Sequence, residues 1–329
     1  MAENKLKGVD AIVLAGVVLL SVLICNLLTP YLYRSIKTDK YRTTLLLNKL
    51  SDPEFKPDIV VFGSSKSMAG IDCYQMSAEL GQDAYNFSST GQPAVESSLY
   101  YSLLPSSVKT VVQIIYPPIK EENGVGEDKL SKNIAIPFSM GGYRITPETE
   151  DINPLTDFSE LKKNRFLQNF DARGAIIIPG LTYILLPKDK EASEDLKFCN
   201  FYLTSRHQMY ERTIEQLKVN SHIGQEIHID STVTGTLEKY AQYLGSKGIK
   251  MVVVLMPSNP DTMEFSNEQM EMIGDACRKS IPDALVLNYL SAIQDTQLFY
   301  DAAHLNKDGA KMITALIDKD LMAQINIFR

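Results

Sequence analysis

The sequence predicts an α/β fold, with a parallel sheet covered by helices on both faces and one transmembrane helix at the N-terminus. Five apolar segments of four to eight residues alternate with helix-forming segments, which is typical of parallel strands buried on both faces. Short motifs rich in Ser, Gly and Asn follow several of these strands. A longer apolar run precedes all of them.

The apolar run AIVLAGVVLLSVLICNLL occupies residues 11–28 and predicts a membrane anchor formed by residues 1–33. Its 18 residues are at the short end of what a helix needs to cross the hydrocarbon. Tyr31 and Tyr33 follow at the depth where aromatic residues favour the interface. A cleaved signal peptide and a buried core helix are the alternatives, but no small-x-small cleavage site follows the run.

Residues 34–56 predict a polar, basic stalk that Asp52-Pro53 and Lys56-Pro57 break. Two lysines precede the apolar run, and Arg34, Lys37, Lys40 and Arg42 follow it. The count of Lys and Arg alone would therefore leave the following domain in the cytoplasm.

Residues 57–329 contain the predicted α/β domain. The predicted strands are 58–62, 84–87, 109–116, 250–256 and 284–288. The predicted helices are 70–81, 93–104, 236–246, 267–280 and 308–321. The rhythm is lost at about 119–230, which we interpret as an insertion. Its apolar stretch 175–186 is too short to span a bilayer, so it predicts either a core segment or a patch resting on a membrane.

Composition excludes several classes of protein. The chain has 329 residues, 44% of them apolar, which is enough for one large or two small globular domains. The net charge of −7 and the absence of a basic stripe argue against a nucleic-acid partner. The four cysteines form no CxxC pair and the four histidines form no HExxH motif, so we expect neither a metal nor a cofactor.

Three motifs carry the candidate chemistry. Gly63-Ser64-Ser65 follows the first strand, where a serine entering a helix would have an exposed hydroxyl and a free backbone N–H. Asp301-Ala302-Ala303-His304 precedes the last helix, and such a histidine could take a serine proton while the aspartate orients it. The segment from Asn86 to Gly91 follows the second strand, where a glycine lets backbone approach a ligand. Taken alone, each motif is also compatible with an ordinary cap or turn.

Taken together, these motifs resemble the SGNH (GDSL-like) hydrolase superfamily. The chain is most similar to its membrane-anchored branch, which includes the proteins of D-alanine transfer to teichoic acid and the O-acetyltransferases of alginate and peptidoglycan. The resemblance covers about 58–91 and 250 to the C-terminus. It implies a three-layer, flavodoxin-like domain on the extracytoplasmic side of the cell membrane.

The resemblance also implies roles for individual residues. Ser65 takes the place of the nucleophile, His304 that of the base and Asp301 that of the orienting acid. Gly91, Asn86 and Ser64 take oxyanion or substrate-binding places. The family's GxND block has no counterpart, because the third strand ends in Tyr116-Pro117-Pro118. One oxyanion donor is typically worth about 10²–10³ in rate.

The function expected from this resemblance is acyl transfer or ester hydrolysis. The substrates would be an acyl donor and an envelope polymer acceptor carrying O-acetyl or D-alanyl groups, and a multi-span membrane acyltransferase is the implied partner. The missing block favours an alternative, a catalytically weak or inactive binding or assembly protein on the same fold. The absence of tryptophan argues against a carbohydrate-binding module.

Overall fold

A computed structural model provides the structure of the chain. It describes residues 2–35, 42–118, 130, 132–140, 142–164, 166–170, 172, 176–177, 181, 185, 195–199, 225–262 and 265–327. The predicted insertion lies partly outside these residues, including 119–129 and 201–224.

The centre of the domain is a five-stranded parallel sheet. The strands are β1 (Ile59–Phe62), β2 (Ala84–Asn86), β3 (Thr110–Ile115), β4 (Lys250–Leu255) and β5 (Leu285–Asn288). Their order across the sheet is β2-β1-β3-β4-β5, and every neighbouring pair is parallel. The predicted α/β fold with a parallel sheet is therefore confirmed, and each predicted strand is present within one or two residues of its expected ends.

Helices connect the strands. Those with defined bounds are α1 (Ala2–Ser35), α2 (Arg42–Leu50), α3 (Ser65–Gly70), α4 (Cys73–Leu80), α5 (Ala94–Tyr101), α6 (Lys132–Met140), α7 (Pro147–Ile152), α8 (Ser159–Lys162), α9 (Ser231–Ser246), α10 (Asn267–Ser280) and α11 (Lys307–Ile327). The helix predicted at 70–81 is present as α4 and begins three residues later, because α3 ends at Gly70 and Asp72 caps α4 by accepting the N–H groups of Tyr74 and Gln75.

Alternate side chains of each strand enter two hydrophobic cores. Val60 and Phe62 pack in a core that also contains residues of α2, α5, α6, α9 and α10. Ile59 and Val61 enter the other core, with residues of α4 and α11. Because both sets of strand residues are buried, the strand sequences read as continuous apolar runs.

The N-terminal helix α1 contains an apolar stretch, Ala11–Leu32, that is long and apolar enough to cross a membrane. Most of its side chains are exposed on the protein, including Leu14, Leu19 and Leu23. A core helix of a soluble protein would bury such residues, so the exposure argues against that alternative.

The segment expected to be a stalk is folded into the domain over Arg42–Leu50. Leu46 is fully buried in the first core, and Phe55 packs in the same core. Arg42 is also buried. The interpretation of residues 34–56 as a stalk must therefore be corrected: α2 packs on the domain through an apolar stripe and a buried arginine.

The described part of the predicted insertion adds to the first core. Ile134, Ala135 and Phe138 of α6 are buried there, with Ile152 of α7 and Leu161 of α8. These helices lie in the connection between β3 and α9. The apolar stretch 175–186 falls mostly outside the described residues, although Ile176 is buried and Leu181 and Leu185 are exposed.

Candidate active site

The turn after β1 presents Ser65 at the carboxyl edge of the sheet. β1 ends at Phe62, and Ser65 is the first residue of α3. Gly63 makes this sharp turn possible, because a Cβ at this position would come within 2.7 Å of the Ser67 Cβ and 3.0 Å of the Ile114 Cβ. Ser65 is therefore half-buried at the tip of the strand.

His304 and Asp301 meet Ser65 in series. The Nε2 atom of His304 is 2.9 Å from Ser65 Oγ. Its Nδ1 atom is 3.0 Å and 2.9 Å from the two carboxylate oxygens of Asp301. With the proton on Nδ1, the ring donates to Asp301 and Nε2 is left to accept the serine proton. The distance from Ser65 Oγ to Nε2 and the two distances from Nδ1 to Asp301 are all within the range required for nucleophile activation.

Asp301 is held as a carboxylate by the groups around it. Burial alone would raise its pKa, but hydrogen bonds from the His304 ring and from the backbone N–H groups of Ala303 and His304 outweigh it. The pKa of Asp301 is therefore lowered from its ordinary value. An ionised carboxylate at this position can stabilise a protonated imidazole during acyl transfer.

Residues after β4 position the 301–304 turn. The amide of Asn259 donates to the carbonyl of Asp301 at 3.2 Å, and Thr262 Oγ1 donates to the carbonyl of Ala302 at 3.3 Å. Residues 256–260 come directly after the fourth apolar strand of the sequence, at the same edge of the sheet as Ser65. Their position after β4 was the available signal, but the hydrogen bonds to a turn about 40 residues away could not be read from it.

Asn86 has a different environment from the one predicted. Its Nδ2 donates to the carbonyls of Ser67 at 3.0 Å and Ile71 at 3.2 Å, and its Oδ1 accepts the N–H of Ser88 at 3.1 Å. The side chain is fully buried. These contacts occupy the amide, so Asn86 holds α3 against the loop after β2 and is not placed to bind an oxyanion or a substrate.

The same loop receives support from α2. Arg42 Nε donates to the carbonyl of Ser88 at 2.7 Å, and its Nη2 donates to the carbonyl of Asn86 at 2.8 Å. The hydroxyls of Ser67 and Ser88 are 2.6 Å apart in the same buried region. The beginning of this loop is therefore a rigid support for the serine turn.

Gly91 and Ser64, the other two predicted substrate-binding residues, lie on the exposed side of this loop and turn. The backbone N–H of Ser89 donates to the carbonyl of Gly63 at 3.1 Å, which holds the two segments side by side. Gly91 is exposed with φ +70°, a left-handed conformation that favours glycine. The side chain of Ser64 makes no capping hydrogen bond and lines a cavity of about 100 Å³.

Tyr116 directly follows β3, at the position where the GxND block of the SGNH family that the sequence resembles would lie. It borders this cavity and also a smaller one of about 30 Å³ that Lys66, Asn259 and Ala302 line. The Nζ atom of Lys66 lies 4.5 Å from the centroid of the Tyr116 ring. Both cavities are small. Another cavity, of about 540 Å³, lies apart from Ser65, His304 and Asp301, between Pro30, α2 and α6.

Comparison with known proteins adds no family assignment. No protein-family model matches the chain, and no curated protein matches it. Among the residues that the structure describes, no group of three or more His, Cys, Asp or Glu side chains is arranged to hold a metal ion. The arrangement of Ser65, His304 and Asp301 is the feature of the site that bears on its chemistry.

Proposed function

We propose that the chain is a membrane-anchored serine acyltransferase or esterase acting on O-acyl groups, acetyl or D-alanyl, of an envelope polysaccharide or polyol. The single observation that supports this is the series Ser65 Oγ, His304 Nε2 and Asp301 carboxylate at hydrogen-bonding distances. The two segments that carry these residues are far apart in sequence and lie at one edge of a parallel sheet, where ligands of such sheets bind.

In the proposed reaction, Ser65 Oγ attacks the carbonyl carbon of an acyl ester or thioester while His304 Nε2 accepts its proton. The tetrahedral intermediate expels the alcohol or thiol, which takes the proton from His304, and leaves an acyl group on Ser65. An acceptor hydroxyl, or water, then gives its proton to His304 and attacks the acyl-serine. The second tetrahedral intermediate releases Ser65 Oγ, which takes the proton back from His304. The acceptor alone distinguishes transferase from esterase.

Two backbone donors support the oxyanion in this proposal. The N–H of Ser65 is at the first position of α3 and has no acceptor within the helix. We assign the second donor to the N–H of Gly91, whose neighbour Gln92 lines the same cavity as Ser64. The chain has no counterpart of the GxND asparagine, so we expect a lower rate than a complete oxyanion hole would give.

The finer features of fold and location belong to the same proposal. We infer a three-layer α/β/α, flavodoxin-like SGNH arrangement, since helices pack on both faces of the sheet. We further infer that α1 anchors the chain as a single span, with the catalytic domain outside the cytoplasm, where envelope polymers lie. An acyl donor and a multi-span membrane acyltransferase are the proposed partners.

The test is acyl-enzyme formation by the full-length protein in detergent, with a chromogenic acetyl ester as substrate. Wild type should release the chromophore and carry an acyl group on Ser65 that mass spectrometry of peptides detects. Ser65→Ala should lose both signals. Ser246→Ala is the matched control, because Ser246 is exposed at the end of α9, next to the start of β4 and away from the triad.

Full activity of Ser65→Ala would contradict the proposal, as would acylation of another serine.

Adding a polyol or a soluble polysaccharide to the wild-type reaction then separates the transferase activity from the esterase activity. Transfer of the acyl group to the added hydroxyl supports a transferase, and release of free acid at an unchanged rate supports an esterase.

A second candidate function is a binding or assembly protein on the same fold. The specific observation that favours it is Tyr116-Pro117-Pro118 at the end of β3, in place of an oxyanion asparagine. In cells that lack the chain, equal complementation by wild type and Ser65→Ala would support this alternative. Loss of complementation by Ser65→Ala at normal protein levels would support catalysis.

A further inference from the structure

The anchor helix makes polar contacts with a distant part of the chain while still within its apolar stretch. Asn26 Nδ2 donates to the backbone carbonyl of Phe166 at 3.2 Å. In return, Asn169 Nδ2 donates to the carbonyl and to the Oδ1 of Asn26, at 3.2 Å and 3.1 Å. Asn26 and Asn169 are both buried by this pairing. Residues 166–170 are helical. The hydrogen bonds with Asn26 hold this segment directly against α1.

The position of Asn26 along α1 sets the depth of this contact. The apolar stretch ends at Leu32, six residues after Asn26. At about 1.5 Å of rise per residue, Asn26 is about 9 Å inside that end. Leu32 itself packs with Ala172 and Ile176, so the chain after residue 170 passes the end of the stretch. Residues 166–170 therefore lie at the depth where interfacial helices insert, about 5–10 Å below the headgroups.

The side chains that face away from α1 at this depth are apolar. Phe166, Leu167 and Phe170 are 52%, 47% and 51% exposed, whereas Gln168 and Asn169 are turned inward and buried. Leu27, Leu28 and Tyr31 of α1 are exposed at the same level. This division is that of an amphipathic segment whose apolar face contacts lipid.

We propose that Phe166, Leu167 and Phe170 form a second membrane contact, inserted into the same leaflet as the end of α1. The occupant of this surface is the lipid bilayer, because the surface is continuous with the lipid-facing side of the anchor. Two contacts fix the orientation of the domain on the membrane, where α1 alone would leave it free to rotate. The inference rests on the proposed anchoring by α1 and is independent of the proposed chemistry.

The absence of tryptophan from the chain allows a direct test. Phe170→Trp gives the full-length protein one fluorophore in the patch, and the protein is reconstituted in phosphatidylcholine vesicles whose acyl chains carry bromine at a shallow or a deep position. Leu19→Trp reports the middle of the span, and Met272→Trp reports the surface of α10, which packs on β5 at the far edge of the sheet.

We expect shallow bromines to quench Phe170→Trp about twofold more than deep bromines do, and Leu19→Trp to show the reverse order. Met272→Trp should not be quenched. Quenching of Leu19→Trp without quenching of Phe170→Trp would overturn the membrane contact and leave the anchor intact, as expected if a protein partner covers the patch instead. Absence of quenching in Leu19→Trp would overturn both. Phe166→Trp repeats the test if Phe170→Trp does not fold.

Discussion

Asp301 and Asp318 lie in the same C-terminal part of the chain; Asp301 is partly buried and Asp318 is fully buried, and their surroundings differ. Asp301 accepts hydrogen bonds from two backbone N–H groups and from the ring of His304. Asp318, in the middle of α11, is 1% exposed, and neither of its oxygens has a hydrogen-bond partner. Burial raises the pKa of Asp318 to about 7, with a further contribution from the charges of Glu79 and Asp72.

The difference shows what makes a buried carboxylate informative about function. Burial acts on both residues in the same direction and favours the neutral form. At Asp301, directed donors reverse this effect and keep the charge beside an imidazole. At Asp318 nothing reverses it, so the residue reduces stability near neutral pH. The following predictions test this contrast, from the largest expected effect to the smallest.

The largest effect is expected for Asp301→Asn. The asparagine amide can donate to Nδ1 of His304, which places the ring proton on Nε2 and prevents the ring from accepting the proton of Ser65. We expect the turnover number for an acetyl ester to fall by about 10²–10⁴. Asp318→Asn is the matched control and should keep wild-type turnover, because Asp318 is about 16 Å along the helix axis from the start of α11. Wild-type turnover in Asp301→Asn would remove Asp301 from the proposed mechanism.

The close approach of Ser65 and His304, on which the proposed chemistry depends, could be predicted from the sequence. Ser65 and His304 each lie at a break between a buried strand and a helix, and such breaks meet at one edge of a parallel sheet. The meeting of Ser65 with a histidine 239 residues later therefore follows from the strand pattern. The bounds of the strands could also be predicted, because strands buried on both faces of a sheet read as continuous apolar runs.

The supporting residues could not be predicted in this way. Arg42 bonds to a loop 46 residues away, and Asn259 bonds to a turn 42 residues away. Each contact depends on side-chain directions that no local pattern specifies. Asn86 illustrates the resulting error, since a polar residue after a strand suits a ligand site and a buried support equally well.

Asn86→Ala tests the case of a buried polar group whose partners are complete. The substitution leaves the carbonyls of Ser67 and Ile71 and the N–H of Ser88 without the partner that the amide supplies. We expect a loss of about 2–4 kcal/mol in the free energy of unfolding, because unsatisfied buried groups cost about 1–3 kcal/mol each. The measurement is thermal unfolding in detergent, with Asn48→Ala on the exposed face of α2 as control. A normal melting temperature with lost activity would return Asn86 to the substrate-binding role first predicted for it.

Asp318→Asn tests the carboxylate that lacks partners, and it should stabilise the protein. The pKa of Asp318 is about 7 in the folded state, against about 3.9 in an unfolded chain. Between these values the folded state binds more protons than the unfolded state, so the wild type loses stability as the pH rises from about 4 to 7. Above pH 7 both states are ionised and the loss is constant.

The asparagine variant lacks this titration, so its advantage should be smallest near pH 4 and should grow to about 4 kcal/mol above pH 7. This corresponds to a rise of about 6 °C in the melting temperature of the full-length protein at pH 8. Asp275→Asn, at an exposed position of α10, is the control and should show no such pH-dependent gain. An advantage that is the same at pH 4 and pH 8 would mean that Asp318 is not held neutral by burial. The contrast with Asp301 would then reflect local packing and not the ionisation of the two carboxyl groups.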